Sequence, residues 1–366
     1  MKKILFCFGT RPEAIKLAPL ILEAEKFGFS PLVCLSGQHM EMVEPFIDFF
    51  NIKVHWNLEL MKKGQGLYNI TTKTLEGLES ILRDQKPNYV FVQGDTSTAF
   101  SSALSAFYAQ IPVCHVEAGL RTGNKLSPFP EEMNRRLISP LADYHYAPTE
   151  QSIANLKNEG ISKNVFLTGN TSIDALRITL ERFEEFSNKM ESQFSSIDFN
   201  KKILLVTCHR RENLGAKQEE IFQSLLEIVE NNKDVEIVFP VHLNPLIKEI
   251  SQKILGNQKR IHLIPPLNYQ CFIWMIKKSY LILTDSGGVQ EEAPYLGKPV
   301  LVLRDNTERM EGVDAGTSIL VGTKKEEIFK VTQELLSDSN KYSRFNNIKN
   351  PYGDGYSAKK ILSTLV

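Results

Sequence analysis

The stretch 280–303, YLILTDSGGVQEEAPYLGKPVLVL, predicts the fold of the chain around it. Two apolar runs, Tyr280–Leu283 and Val300–Leu303, have the composition of strands that are buried on both faces. Between them lies a polar turn with two glycines, Thr284–Gly288, and then a short helical segment that ends at Gly297. Strand, glycine turn, helix and strand indicate a βαβ unit, whose right-handed crossover places the turn at the carboxyl edge of a parallel sheet.

The turn Ser286–Gly288 has two interpretations. Backbone N–H groups at a helix start are unpaired and carry partial positive charge, which suits a phosphate. Glu291 and Glu292 follow one turn later, where a carboxylate could accept hydrogen bonds from sugar hydroxyls. An ordinary Ser-Gly-Gly turn before a solvated acidic helix accounts for the same residues equally well, because short glycine motifs often match falsely.

Apolar runs of strand length alternate with helical patterns on both sides of this unit. The expected strands are Ile4–Phe8, Pro31–Leu35, Asn88–Val92, Pro112–Val116, Tyr144–Ala147, Val165–Thr168, Ile203–Val206, Val235–Phe239, Ile261–Ile264, Tyr280–Leu283 and Val300–Leu303. This alternation predicts an α/β fold with two Rossmann-like, doubly wound parallel sheets. Ligands of such sheets bind outside the carboxyl ends of the strands, so we expect the site in a cleft between two domains.

A chain of 366 residues is long for one hydrophobic core and fits two domains. The run Lys201–Val206 repeats the character of Lys2–Cys7, and the polar segment Glu184–Asn200 is the expected hinge region. The predicted domains are 1–170 together with a C-terminal helix at 355–366, and 171–354.

Composition argues against several classes of function. Lys plus Arg and Asp plus Glu both total 43, and this zero net charge argues against a nucleic-acid surface. No apolar segment approaches the length of a membrane span, and the first apolar run stops at Phe8, too early for a signal peptide. The five cysteines have no CxxC pair or metal-ligand spacing, which favours reduced thiols in a cytoplasmic protein without a metal site.

Charged residues follow the first expected strand. Arg11 stands at the start of the next helix and Lys16 about one turn inside, where a cation opposes the helix dipole. A bound phosphate or diphosphate would offset these charges and is the favoured interpretation, although Glu13 could offset them by itself.

Carboxylates stand at two further strand ends and at one helix start. Asp95 follows Tyr89–Val92 and is as consistent with an N-cap as with a catalytic role. Glu117 follows Val113–Val116, at a point where no cap is needed. Glu131 opens a helix, where acids in the first turn interact favourably with the dipole, so its local interpretation is structural.

His209 follows the strand Ile203–Val206 and precedes two arginines, a group that is costly to bury without a polar ligand. His242 and His39 have similar placements with weaker support. The histidines expected in the core are His55, His115, His145 and His262. Carboxylates and a histidine favour proton transfer, and the cations favour a diphosphate, so chemistry on a sugar nucleotide explains both groups.

Ordered motifs run through nearly the whole chain: GTRPEAIKLAPL (9–20), GDTSTAF (94–100), HVEAGLRTG (115–123), PEEMNR (130–135), HRRENLG (209–215), PVHLNP (240–245), DSGGVQEEAP (285–294) and NPYGDG (350–355). They closely resemble the motifs of the non-hydrolysing UDP-N-acetylglucosamine 2-epimerases, bacterial enzymes that supply UDP-N-acetylmannosamine for surface polysaccharides. The resemblance implies a GT-B-like pair of Rossmann domains, with a C-terminal helix that returns to the first domain and a second domain that binds UDP. It also implies a homodimer and a reaction without cofactor, in which anti elimination of UDP gives 2-acetamidoglucal and UDP then adds back.

The resemblance implies catalytic roles for Asp95, Glu117, Glu131 and His209. Asp95 and Glu131 are the expected proton-transfer pair, Glu117 positions or shares protons and His209 meets the diphosphate, while the identity of the base stays open. The implied substrate-binding residues are Ser286, Gly287 and Gly288 for phosphate, Glu292 for ribose, Phe272 beside uracil, Arg11, Lys16 and Arg135 for substrate and diphosphate contacts, and Arg309 as another arginine that contacts substrate.

Some members of this family are activated by a second substrate molecule, and Gln38, His39 and His242 match that regulatory site. Glu41 and Gly64 replace the glutamine and arginine of activator-dependent members, so we predict weak regulation by substrate.

Two other kinds of protein compete with this interpretation. A hydrolysing epimerase or a GT-B glycosyltransferase is the enzymatic alternative, but a glycosyltransferase needs an acceptor site and has no evident use for the carboxylates. A non-catalytic regulator that binds nucleotide sugars is expected to lose these acids, yet Asp95, Glu117 and Glu131 are all present.

Overall fold

The structure, a computed structural model, describes residues 1–37, 40–60 and 66–366. The strands are β1 Lys2–Phe8, β2 Phe29–Leu35, β3 Trp56–Asn57, β4 Tyr89–Gln93, β5 Val113–Val116, β6 Tyr144–Ala147, β7 Val165–Leu167, β8 Lys202–Thr207, β9 Val235–Pro240, β10 Ile261–Ile264, β11 Leu281–Thr284, β12 Val300–Val302 and β13 Ser318–Leu320. The helices are α1 Arg11–Ala24, α2 Met40–Phe50, α3 Leu67–Gln85, α4 Ser97–Tyr108, α5 Glu131–Leu141, α6 Glu150–Asn158, α7 Thr171–Glu181, α8 Phe183–Gln193, α9 Ala216–Asn231, α10 Pro245–Leu255, α11 Tyr269–Lys278, α12 Gly287–Glu292, α13 Met310–Asp314, α14 Lys325–Ser337, α15 Ser339–Ser343 and α16 Ser357–Ser363.

Across the described ranges, the strands form two sheets in which every paired strand is parallel. The first sheet has the order β3-β2-β1-β4-β5-β6-β7 and the second has the order β10-β9-β8-β11-β12-β13. The order reverses at β1 and at β8, which is the doubly wound arrangement, and this confirms the predicted fold class. The chain divides into a first unit, 1–175 with 352–366, and a second unit, 176–351.

The side chains of the central strands are buried. Ile4, Leu5 and Phe6 in β1 are 0% exposed, and so are Leu204 and Leu205 in β8. Helices cover both faces of a parallel sheet, so these strands read as continuous apolar runs, and each fully buried Leu, Ile or Phe stabilises the fold by about 1.5–3 kcal/mol.

The sequence predicted a hinge region at 184–200, but in the structure most of this segment forms the helix α8. Phe183, Ser187 and Met190 are buried and recur at helical spacing, a pattern that the polar residues between them obscure. Trp274 Nε1 donates a hydrogen bond to Ser187 Oγ at 3.1 Å, and the Trp274 ring stacks on that of Phe194. The segment is therefore packed against α11 within the second unit.

The last helix, α16, packs against α1 in the first unit, as predicted. The carboxylate of Asp174 accepts hydrogen bonds from the backbone N–H groups of Ser357 at 3.0 Å and Ala358 at 2.8 Å. Two donors that a helix start leaves unpaired are satisfied in this way, so the end of the chain is fixed to the first sheet's unit.

The cysteines are buried free thiols, as predicted: Cys7, Cys34, Cys114, Cys208 and Cys271. A search of the residues that the structure describes finds no helix with the length and hydropathy needed to cross a membrane.

Candidate functional site

Asp95 lies in the turn between β4 and α4, at the carboxyl edge of the first sheet. It is not the N-cap of α4, because Thr96 holds that position and its Oγ accepts a hydrogen bond from Ala99 N at 2.9 Å. The Asp95 carboxylate instead pairs with Arg135, whose Nη2 lies 2.5 Å from Oδ2. Asn134 donates to the backbone oxygen of Asp95 at 2.9 Å, so α5 holds both the side chain and the main chain of this residue.

Glu117 directly follows β5 and has a left-handed backbone with φ 65°. Its side chain is buried among donors. Lys16 Nζ lies 2.5 Å from Oε1, Asn170 Nδ2 lies 3.5 Å from the same oxygen, and Gln93 Nε2 donates to Oε2. Lys16 is therefore an ion-pair partner of a carboxylate.

Two of the predicted carboxylates, Glu117 and Glu131, act on the third, Asp95, in the first unit. Burial raises the pKa of Asp95, and the charges of Glu117 and Glu131 raise it further, while Arg135 lowers it. Like charges that share a partly buried site favour the retention of a proton, which is the condition for exchanging protons with a substrate.

Glu131 and Glu132 begin α5 but have different surroundings. Glu132 is 0% exposed and accepts hydrogen bonds from the backbone N–H groups of Thr122 at 3.0 Å and Gly123 at 3.3 Å. It therefore ties the loop before α5 to the helix. Glu131 is half-buried and close enough to raise the pKa of Asp95.

Glu13 is buried at the start of α1, beside Arg11. Glu13 Oε2 accepts from Gly9 N at 3.0 Å and Thr10 N at 2.8 Å, and its Oε1 accepts from Thr96 Oγ at 2.7 Å. Glu13 thus satisfies donors at this helix start itself, although burial raises its pKa. Arg11 lies over the ring of Phe46, with Cζ 5.2 Å from the centroid.

His209 follows β8, at the carboxyl edge of the second sheet, and is organised by Asp285. The carboxylate of Asp285 is 0% exposed, and its Oδ2 accepts from His209 N and Arg210 N at 2.8 Å each and from Asn213 Nδ2 at 3.1 Å. The Nδ1 atom of His209 lies 3.2 Å from Asp285 Oδ1, so the carboxylate orients the ring as well as the main chain. The ring of His242 stacks on that of His209 with centroids 5.6 Å apart.

The glycine turn lies beside an arginine in the same unit. A Cβ atom built on Gly287 would lie 3.4 Å from Arg309 Cζ, whereas one built on Gly288 would meet nothing within 4 Å. Arg309 is held by Glu291, whose Oε1 lies 2.9 Å from Nε and 2.8 Å from Nη2. The turn that includes Ser286 therefore combines backbone donors with a guanidinium.

Glu292 and Phe272 lie on α12 and α11 of the second unit. Glu292 is 6% exposed and accepts a hydrogen bond from Tyr269 Oη at 3.2 Å, so its carboxylate is oriented from α11. Phe272, half-buried, lies one helical turn from Tyr269. Of the predicted regulatory residues, His242 is described above, whereas Gln38 and His39 lie outside the described residues, as does Gly64.

The structure adds residues that sequence reasoning did not assign. Gln93 and Asn170 donate to Glu117, and Asp285 orients His209. Each of the three lies within or beside a motif quoted above, but a buried hydrogen-bond partner leaves no pattern of its own in a single sequence. Glu308 was also not assigned from the sequence. Burial raises the pKa of its carboxyl, but the charges of Arg309, Arg304 and Arg210 lower it to about 2.

Comparisons with known proteins identify the family of the chain. The family model described as UDP-N-acetylglucosamine 2-epimerase matches residues 22–366. The chain belongs to this family. It is 48% identical to the UDP-N-acetylglucosamine 2-epimerase of Escherichia coli K12, over 99% of this chain and 98% of the relative, and 48% identical to that of Bacillus subtilis 168, over 100% and 95%.

Solved structures of the family have the same fold. The Neisseria meningitidis UDP-GlcNAc 2-epimerase bound to UDP-GlcNAc superposes with a TM-score of 0.92 at 47% identity, covering 99% of each chain. The Methanocaldococcus jannaschii enzyme in complex with UDP-GlcNAc and UDP gives 0.82 at 38% identity, again with 99% of each chain covered. These matches confirm the family resemblance and the GT-B-like fold class. Within the described part of the chain, no cluster of His, Cys, Asp and Glu side chains is arranged to hold a metal ion.

Proposed function

We propose that this protein converts UDP-N-acetylglucosamine into UDP-N-acetylmannosamine, and back, by inverting carbon 2 without a cofactor, for the synthesis of surface polysaccharide precursors. The observation that supports it is the group of three carboxylates at the edge of the first sheet, in which Glu117 and Glu131 raise the pKa of Asp95. Lys16 pairs with Glu117, and Arg135 pairs with Asp95. A binding protein has no need for like charges that destabilise one another, whereas an enzyme that moves a proton does.

The reaction is an elimination followed by an addition. One carboxylate removes the proton from carbon 2, the electrons of that bond form a double bond to carbon 1, and the bond from carbon 1 to oxygen breaks as UDP leaves with its electron pair. The intermediate is 2-acetamidoglucal. A proton then returns to the opposite face of carbon 2 while the UDP oxygen bonds to carbon 1 again, so atoms and charge balance. Asp95 and Glu131 are the proposed proton-transfer pair.

The second unit holds the nucleotide in this proposal. Ser286, Gly287 and Gly288 offer backbone N–H groups to a phosphate, and Arg309 adds a guanidinium beside the same turn. Glu292, oriented by Tyr269, accepts hydrogen bonds from the ribose hydroxyls. Further contacts are proposed for His209 with the diphosphate, for Phe272 with uracil, and for Arg11, Lys16 and Arg135 with the rest of the substrate. Relatives with bound UDP-GlcNAc and UDP support this assignment of the ligand.

We further propose a homodimer formed through α3 and α4. Tyr68 is 90% exposed, Tyr108 70% and Phe107 56%, and a surface pocket of about 830 Å³ lies between these helices. Exposed aromatic patches of this kind mark interaction surfaces. In sedimentation velocity, Tyr108→Asp should be a monomer, while Tyr356→Asp, a change at another exposed tyrosine, should leave a dimer; a wild-type monomer overturns the proposal.

The free thiols support a cytoplasmic location, where thiols stay reduced.

Incubation with UDP-N-acetylglucosamine in deuterated water tests the reaction. The expected product is UDP-N-acetylmannosamine with deuterium at carbon 2, and recovered substrate should carry the label as well. Free UDP with N-acetylmannosamine as the only products would establish a hydrolysing enzyme instead. Binding of UDP without turnover would establish a non-catalytic protein. Asp95→Asn should abolish the incorporation of deuterium.

A further inference from the structure

The backbone of Glu117 lies where side chains are rarely found. Its φ of 65° is in the left-handed region, and its neighbours Gly94 and Gly119, with φ of 68° and 91°, are glycines in the same region. Glycine adopts this conformation without steric cost, whereas other residues pay of order 1 kcal/mol. Other non-glycine residues, such as Glu59 and Lys86, share this conformation, so it is the set of donors around its side chain that sets Glu117 apart.

The Glu117 carboxylate accepts hydrogen bonds from three elements of the first unit. Lys16 on α1 and Asn170, after β7, approach Oε1, and Gln93 at the end of β4 donates to Oε2. Gln93 is only 3% exposed, and it pairs in the sheet with Val116, the residue before Glu117. An ammonium and two amide N–H groups all favour the ionised form of a carboxylate.

We propose that Gln93 is a positioning residue for the epimerisation, and that its side-chain amide holds Glu117 as an ionised carboxylate of fixed orientation. This inference rests on the proposed function. Gln93 acts through Glu117, because its amide is directed at that carboxylate, and Lys16 supplies the balancing positive charge on the other oxygen.

The charge state of Glu117 also affects Asp95. The charge of Glu117 is one of the causes that raise the pKa of Asp95. An ionised Glu117 therefore helps Asp95 to keep or accept a proton, and a loosened or neutral Glu117 would not. The hydrogen bond from Gln93 thus helps to keep Glu117 ionised, while Asp95 and Glu131 exchange protons with the substrate.

Two near-isosteric replacements separate this role from simple packing. Gln93→Met keeps the length and volume but has no donor. We expect kcat to fall by about 10- to 100-fold, as for the loss of one hydrogen bond to a charged group, with a modest fall in thermal stability and unchanged affinity for UDP by calorimetry. The donor stabilises the ionised form of the Glu117 carboxylate, so without it protonation of Glu117 should begin at higher pH and the acid limb of the kcat profile should move to higher pH.

Gln93→Glu gives the sharper readout, because a carboxylic acid can donate only while it is protonated. Its activity relative to the wild type should recover as the pH falls and should be lost as the pH rises. Gln218→Met, which replaces a buried glutamine of the second unit, controls for the exchange of a buried amide and should keep the wild-type pH profile.

Several results would overturn the inference. A Gln93→Met variant with wild-type kcat and an unshifted profile would show that the hydrogen bond is not needed. A loss of activity that is matched by lower thermal stability and weaker UDP binding would show a structural role only. If the wild type incorporates no deuterium into UDP-N-acetylglucosamine, the proposed function fails first and the role of Gln93 falls with it.

Discussion

Arg135 and Asp95 form an ion pair between α5 and the turn after β4, with Nη2 2.5 Å from Oδ2. The same arginine lies 3.5 Å from the carboxylate of Glu132, which holds the loop before α5. Arg135 therefore connects the Asp95 turn, the α5 helix and the loop that precedes Glu131. It also lowers the pKa of Asp95 against the effects of burial and of the neighbouring carboxylates.

Replacing Arg135 by Met should shift the pH dependence of the reaction. The cation favours the ionised form of Asp95, so its removal should raise the pKa of Asp95. If Asp95 acts as the base in the free enzyme, the acid limb of the kcat/KM profile for deuterium exchange moves to higher pH. Arg136→Met is a matched control, because Arg136 pairs with Glu159 at 3.2 Å. Identical profiles for the two variants would contradict this assignment.

The order of elements was predictable from the sequence for a physical reason. Parallel strands are buried on both faces, so β1, β8 and β11 are continuous apolar runs that can be recognised locally. The charged residues directly after those runs then lie at the carboxyl edge of a sheet. The edge strand β3 was not predicted because it consists of only two residues, Trp56 and Asn57, and the edge strand β13 was not predicted either.

The pairing of charges within the site could not be predicted in the same way. Lys16 and Glu117 are separated by 101 positions, and only the sheet order brings α1 next to the end of β5. Lys16 was expected to contact phosphate, and the structure shows it paired with Glu117, while Arg135 is paired with Asp95. Gln93 carries no charge and follows an ordinary strand pattern, so nothing in the sequence marks it as a partner of Glu117.

Gly287→Ala should weaken the binding of UDP without unfolding the second unit. The added Cβ would lie 3.4 Å from Arg309 Cζ, an ordinary contact, so thermal stability should be unchanged. The methyl group would, however, take space at the helix start beside the guanidinium, where the proposal places a phosphate. We expect a loss of about tenfold or more in affinity by calorimetry, equivalent to about 1.4 kcal/mol. Gly66→Ala, which precedes α3 and meets no atom within 4 Å, should bind UDP like the wild type.

Asp285→Ala should destabilise the second unit strongly. The substitution removes a fully buried acceptor and leaves the donors of His209, Arg210 and Asn213 without their partner, at a cost of about 3 kcal/mol or more. Asp305→Ala is the control, since Asp305 is half-exposed and pairs with Lys217 on the surface at 2.6 Å, an interaction worth about 0–1 kcal/mol. Differential scanning calorimetry should show a much larger fall in Tm for Asp285→Ala, and equal shifts would refute the buried role.

Glu117→Gly should be at least as stable as Glu117→Ala, the reverse of the usual order. Both variants lose the contacts with Lys16 and Gln93, so the comparison isolates the backbone, whose φ is 65°. Alanine pays of order 1 kcal/mol in the left-handed region, which offsets the higher conformational entropy that glycine loses on folding.

Glu249 provides the reference pair for this comparison, because it is exposed in the interior of α10. There Glu249→Gly should be less stable than Glu249→Ala by about 1 kcal/mol. Thermal unfolding of all four variants measures the two differences. If the alanine variant is more stable than the glycine variant at position 117 by the same margin as at position 249, the backbone of Glu117 is not strained, and the constraint on its direction must come from its hydrogen-bond donors alone.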